Sequence, residues 1–186
     1  MPFIKTDIPG LLVFEPKVFD DSRGYFYESY NEELFAAQGI NIHFVQDNQA
    51  RSGYGVIRGL HFQLEPYAQT KLVRVLSGSI LDVVVDIRKN SPTYGLSFSI
   101  VLSAENKKQL FVPKGFAHGY SVISETAEVF YKCDHFWNKD AEGGIMYNDP
   151  QLNIDWKVTK DKQIISEKDM GYPHLSNSHH NFLFTS

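Results

Sequence analysis

The stretch Lys71-Leu72-Val73-Arg74-Val75-Leu76-Ser77-Gly78-Ser79-Ile80-Leu81-Asp82-Val83-Val84-Val85-Asp86-Ile87 decides the fold class. It is dense in β-branched and aliphatic residues and is interrupted once, at Ser77-Gly78. Such residues suit a pleated, packed surface, so the stretch reads as strands 71–76 and 79–87. The small pair between them predicts a hairpin turn. Working outward, further β-prone runs fall at 44–50, 56–63, 96–102, 108–112, 119–123 and 126–137. Two short ones, 10–14 and 25–30, flank a turn at Asp20-Asp21-Ser22-Arg23-Gly24. Helix is expected at 31–38, with Asn31 as cap, Glu32 and Glu33 in the first turn and Gly39 at the end. A second short helix is expected to begin near Ser166. Eight or more strands with little helix between them predict an all-β protein, an antiparallel sandwich, jelly roll or barrel.

Composition narrows the function. The 186 residues suit about one domain, expected to span 1–186. With 18 basic and 22 acidic residues the net charge is −4, which argues against non-specific nucleic-acid binding. No apolar run approaches the roughly 20 residues that span a bilayer, so no membrane partner is expected. The N-terminus lacks the apolar stretch of a signal peptide. A single cysteine, Cys133, permits neither an intrachain disulfide nor a four-cysteine zinc site, and suits a reducing compartment, the cytoplasm. The end, 175–186, is rich in Ser, Asn and His and is expected to be loosely held. Its His179-His180 pair is weak evidence for metal.

Alternation along the strands selects candidate site residues. One face of 56–63 carries Ile57, Gly59, His61 and Gln63. One face of 71–76 carries Lys71, Val73 and Val75. One face of 126–137 carries Val129, Tyr131, Cys133, His135 and Trp137. His61, Lys71 and Tyr131 thus share faces with small or apolar residues, where a barrel places a few polar groups in an apolar cavity.

Two segments resemble the signature motifs of the cupin superfamily. One runs from Gly55 through His61-Phe62-Gln63 to Gly78; the other is Pro113-Lys114-Gly115-Phe116-Ala117-His118-Gly119. The resemblance implies a cupin-type jelly roll with a few short helices. Metal-binding cupins place a second histidine two residues after the first, and here that position holds Gln63. A carboxamide is a poor ligand for zinc or iron beside imidazole, so no metal and no cofactor are expected.

A larger ordered set is more specific. It comprises Asp21-Ser22-Arg23-Gly24-Tyr25-Phe26, Gln46-Asp47-Asn48, Arg58-Gly59-Leu60-His61-Phe62-Gln63, Lys71 and Tyr131-Lys132-Cys133. Glu142-Gly143-Gly144-Ile145, Tyr147-Asn148-Asp149-Pro150 and Ser166-Glu167-Lys168-Asp169 complete it. This set resembles the dTDP-4-dehydrorhamnose 3,5-epimerase family from about residue 8 to 175. The resemblance implies cofactor-independent epimerisation of dTDP-4-keto-6-deoxyglucose. The protons at C3 and C5 flank a ketone, so their removal gives an enolate; the reaction needs a base, an acid on the opposite face, and a cation near the oxygen.

By the same resemblance His61 is the base, Asp169 its orienting partner, Lys71 the enolate stabiliser and Tyr131 the acid. Arg23 and Arg58 are implied to bind the diphosphate. Glu28, Gln46, Asn48, His118, Glu142 and Lys168 match substrate-contacting positions, with His118 and Asp82 as a second His–Asp dyad. Strict alternation sets Arg58 opposite His61, unless a bulge at Gly59 brings both to one side. After Cys133 the family continues with Thr and a tyrosine pair, whereas this chain reads Asp134-His135-Phe136-Trp137. Trp137, with the parity of Tyr131, is expected to stack on thymine, with Phe26 of a partner chain on its other face. A homodimer is expected, because a β-prone N-terminal segment can cover the sheet edge of a second copy. Other readings of the residues remain: a 3- or 5-epimerase of a related nucleotide sugar, a metal-dependent cupin, or a sugar-binding cupin.

Overall fold

The computed structural model describes residues 2–185. In chain order it forms β1 (Phe3–Lys5), β2 (Leu12–Phe14), β3 (Phe19–Asp21), β4 (Gly24–Phe26), α1 (Glu32–Ala36), β5 (Gln46–Gly53), β6 (Ile57–Gln63), β7 (Lys71–Ser77) and β8 (Ser79–Asp86). Then come β9 (Ser97–Ser103), β10 (Gln109–Val112), β11 (Phe116–Val122), β12 (Thr126–Cys133), β13 (Glu142–Gly144) and α2 (Glu167–Met170). One sheet has the order β1-β2-β10-β7-β12-β5, the other β13-β6-β11-β8-β9, and β3-β4 stand apart as a hairpin. The strand ladders are antiparallel. This is the all-β jelly roll that the motifs imply.

The two sheets face each other over one core. Val73, Val75, Leu110 and Val129 from the first meet Ile80, Val84, Phe116 and Val122 from the second. The second sheet is buried on its outer face too. There Ile57, Leu60, Phe62, Leu81, Val83 and Val85 pack under Trp156, Leu175 and Phe182 of the C-terminal segment. Burial on both faces explains why β8 reads as a nearly unbroken apolar run rather than an alternating one.

Several expectations need correction. Ser77-Gly78 does not close a hairpin: β7 pairs with β10 and β12, β8 with β11 and β9, so the turn carries the chain from one sheet to the other. Gly78, at φ +71°, sits against the Thr126 carbonyl, leaving no room for a side chain. β11 begins at Phe116 rather than 119, which places His118 on the strand. β12 ends at Cys133, so 134–138 is a loop and strand parity does not govern Trp137. The end of the chain is docked, not loose. Leu175, His180 and Phe182 are buried, and Lys89 exchanges backbone hydrogen bonds with Phe182 (3.0 Å) and Phe184 (2.9 Å). The apolar residues among the polar ones, Leu175 and Phe182, fill the outer core of the second sheet.

Candidate active site

β6 carries the decisive distortion. His61 is paired with His118 on β11, but Arg58 is paired with Tyr120, so β6 spends one residue more than its neighbour between these two pairs. This bulge lies at Gly59, whose φ is +129°. A Cβ there would lie 2.5 Å from Gly119 Cα, so the two strands approach closely only because both positions are glycine. Past the bulge the parity of side chains changes. Ile57, Leu60 and Phe62 face the outer core, so Ile57 does not share the face of His61 as uninterrupted alternation predicted. Arg58 and His61 now lie on the same inner side, and Arg58 Nε donates to Ser52 Oγ on the facing sheet at 3.2 Å.

Asp169 arrives from the far end of the chain. Ser166 caps α2 by accepting from the Asp169 amide at 3.1 Å, and this short turn aims the carboxylate at β6. Asp169 Oδ1 lies 2.7 Å from His61 Nε2, and Oδ2 accepts from the Gly59 amide at 3.2 Å. An ionised carboxylate only accepts, so Nε2 carries a proton, and in the neutral imidazole the free lone pair is then on Nδ1.

A cavity of about 280 Å³ opens in front of the dyad, lined by His61, Gln63, Gln69, Lys71, Tyr131, Trp137, Glu142 and Lys168 among others. His61 and Gln63 come from one sheet, Lys71 and Tyr131 from the other. Lys71 Nζ stands 5.9 Å from the centre of the Tyr131 ring. A second hollow of about 490 Å³ is lined by His61, Arg58, Ile164 and Asp169 among others. A separate hollow of about 370 Å³ beside Trp156 holds none of the expected site residues, and its position makes it irrelevant to this chemistry.

A family model of dTDP-4-dehydrorhamnose 3,5-epimerase matches residues 5–177. The chain belongs to the dTDP-4-dehydrorhamnose 3,5-epimerase family. It is 53% identical over 171 residues to the dTDP-4-dehydrorhamnose 3,5-epimerase of Shigella flexneri, covering 91% of this chain and 93% of that one. Among solved structures, the dTDP-4-dehydrorhamnose 3,5-epimerase of Elizabethkingia anophelis NUHP1 superposes with a TM-score of 0.91 at 51% identity, covering 94% of this chain and 96% of that chain. The dTDP-6-deoxy-D-glucose-3,5-epimerase of Legionella pneumophila Philadelphia 1, solved with dTDP-4-keto-L-rhamnose, gives 0.90 at 45% identity, covering 94% and 93%.

The electrostatics of the cavity follow from burial and from the neighbours of each group. Burial pushes the Tyr131 hydroxyl up to about 12, with Cys133 and Tyr120 adding to it, so the phenol holds its proton. Burial lowers Lys71, while Cys133, Asp82 and Glu142 work in the opposite direction. Burial alone would raise Asp169, but the hydrogen bonds from His61 and the Gly59 amide outweigh it and hold the carboxyl below its ordinary value. Glu142 is similar: burial raises it, but Lys168 and Tyr172 pull it below the usual range. Lys168 and Glu142 form an ion pair at the cavity rim.

The remaining expected residues divide into two groups. His118, buried beneath the site, holds Asp82 Oδ1 at 2.7 Å with Nε2. Gln46 Nε2 donates to Asn48 Oδ1 at 3.0 Å, and Asn48 Nδ2 lies 3.7 Å from Cys133 Sγ. These sit beside the cavity. Arg23, Phe26 and Glu28 do not line it. Arg23 projects from the β3–β4 hairpin and is paired with Asp21 at 2.6 Å, Phe26 is 67% exposed, and Glu28 accepts from Asn31 at 3.3 Å.

One contributor escaped the sequence reading. Tyr172 donates to Glu142 Oε1 at 3.1 Å and sets its ring edgewise on His61, centroids 5.6 Å apart. Its seat is Gly144, where a Cβ would lie 2.6 Å from the ring. The Gly143-Gly144 pair was the available signal. Among the described residues no group of three or more His, Cys, Asp and Glu side chains is placed to hold a metal ion.

Proposed function

We infer that this chain epimerises C3 and C5 of dTDP-4-keto-6-deoxyglucose, giving dTDP-4-keto-L-rhamnose, by proton abstraction and return without a cofactor. The observation that carries this reading is His61 on one sheet, held by Asp169 of α2, facing a protonated Tyr131 and a half-buried Lys71 on the other sheet across one cavity.

In this reading His61 Nδ1 takes the proton from C3 or C5. Asp169 holds the ring by its other nitrogen and stabilises the imidazolium that forms. Charge moves to the C4 oxygen, where Lys71 stabilises it. Inversion requires the new proton to arrive on the opposite face, and Tyr131 stands on the opposite wall with its proton in place. Arg58, brought to the face of His61 by the bulge between them, binds the diphosphate, and Trp137 stacks on thymine at the rim.

The working form is a homodimer of single-domain chains in the cytoplasm. The β3–β4 hairpin carries Phe19, Tyr25 and Phe26, each more than half exposed, away from its own cavity. Exposed aromatics on a two-stranded ribbon suit insertion into a second copy, delivering Arg23, Phe26 and Glu28 to the partner's site.

The test is NMR of dTDP-4-keto-6-deoxyglucose with the protein in deuterated water. Deuterium at both C3 and C5 with the L-rhamno product is expected. Exchange at one carbon alone would make the chain a single-centre epimerase.

A further inference from the structure

The loop 134–138 that carries Trp137 is held at both ends by hydrogen bonds to residues outside it. The Asn138 amide donates to Gln63 Oε1 at 2.8 Å. The preceding amide, that of Trp137, donates to Gln46 Oε1 at 3.1 Å. Gln69 Nε2 donates to the His135 carbonyl at 2.7 Å, and Asp134 Oδ1 accepts from the Thr70 amide at 2.6 Å. Gln46 lies on β5 of the first sheet and Gln63 on β6 of the second, so two successive amides are tied to opposite walls of the barrel. The Trp137 indole is 53% exposed, and among the described residues no ring packs on it. Its position is therefore set by its backbone, not by its own packing.

We propose that Gln63 is a positioning residue for recognition of the nucleotide base: its carboxamide oxygen anchors the 134–138 loop to the strand of His61 and so fixes the height of Trp137 over the cavity. This rests on the reading of Trp137 as the base-stacking residue. It gives the glutamine in the metal-histidine slot a task. Gln63 is 5% exposed, and its oxygen is committed to the amide of the half-buried Asn138. Because Gln63 and His61 share a strand two residues apart, the same element sets both the base and the sugar ends of the site.

The probe is dTDP alone, so that binding is read apart from epimerisation. Quenching of tryptophan fluorescence by dTDP reports on Trp137, since Trp156 is buried with its Nε1 donating to the Tyr147 carbonyl. Gln63→Met keeps the length and loses the acceptor; it should weaken dTDP about tenfold or more, with KM rising several times more than kcat falls. Gln63→Glu keeps an acceptor oxygen and should retain the dTDP affinity to within about threefold. Unchanged dTDP affinity in Gln63→Met overturns the proposal, as does a loss confined to kcat. Should either variant fail to fold, the wild-type protein decides by amide hydrogen exchange: the Asn138 amide should be strongly protected, and exchange at an open-loop rate overturns the anchor. Trp137→Ala that binds dTDP like wild type would instead remove the stacking reading on which the proposal rests.

Discussion

Asp169 Oδ1 lies 2.7 Å from His61 Nε2, while its other oxygen takes the amide of Gly59, two residues before that histidine. One carboxylate therefore holds both the imidazole and the bulge that turns it inward. Replacing His61 with Asn or Ala should lower turnover by about 10²–10⁴, the usual worth of a general base. Asp169→Asn should also slow the reaction with the fold retained. Solvent deuterium exchange at C3 and C5 measures both, and a wild-type exchange rate in His61→Asn would exclude it as the base. The depressed Asp169 carboxyl also sets a pH dependence. Its folded value lies below its unfolded one, so its contribution to stability is complete above the unfolded value of about 3.9 and is lost as pH falls through the folded value. Melting temperatures of wild type and Asp169→Asn should therefore converge in strong acid.

Tyr131, held protonated by burial, should matter for proton return rather than removal. Tyr131→Phe should still exchange substrate protons with solvent through His61, but form the doubly inverted product about 10²–10⁴ times more slowly. Product formation at the wild-type rate would assign the acid elsewhere.

Gln63 occupies the slot of a metal-ligating histidine and spends its oxygen on the Asn138 amide. Activity should survive prolonged treatment with EDTA, and elemental analysis of purified protein should find no stoichiometric transition metal. Loss of activity that a single metal restores would return the metal-dependent reading.

The β3–β4 hairpin should complete a second copy's site. Light scattering at micromolar concentration should give about twice the 21.3 kDa chain mass. Phe26→Ala should raise KM for the nucleotide sugar although Phe26 lies outside its own cavity. A fully active monomer would refute the shared site.

Trp137→Ala should raise KM about tenfold or more while changing kcat less. Stacking on a base contributes about 1–3 kcal/mol and acts far from C3 and C5, so it binds ground and transition states alike. Titration with dTDP checks this directly.

The sequence by itself determined most of the strand content, the helix at α1 and the cap at Ser166, because side-chain periodicity and capping chemistry depend on near neighbours along the chain. His61, Lys71, Tyr131 and Asp169 were singled out by a resemblance that runs along most of the chain, and what they touch was not written in any one stretch of it. Which strands pair was not local. Ser77-Gly78 has the composition of a hairpin turn but serves as a corner between sheets, because β7 and β8 each find better partners elsewhere. Arg58 reaches the side of His61 only through the Gly59 bulge, which exists because β11 presents Gly119 to it. Asp169 meets His61 across 108 residues, and Tyr172 meets His61 over the bare backbone of Gly144. Trp137 reaches the cavity from a loop pinned by glutamines on two sheets, not by strand parity. The apolar residues of the polar C-terminal stretch likewise found their place only once the outer face of the second sheet existed to receive them. Each of these depends on the packing of segments distant in the chain, and that packing is decided when the tertiary structure forms.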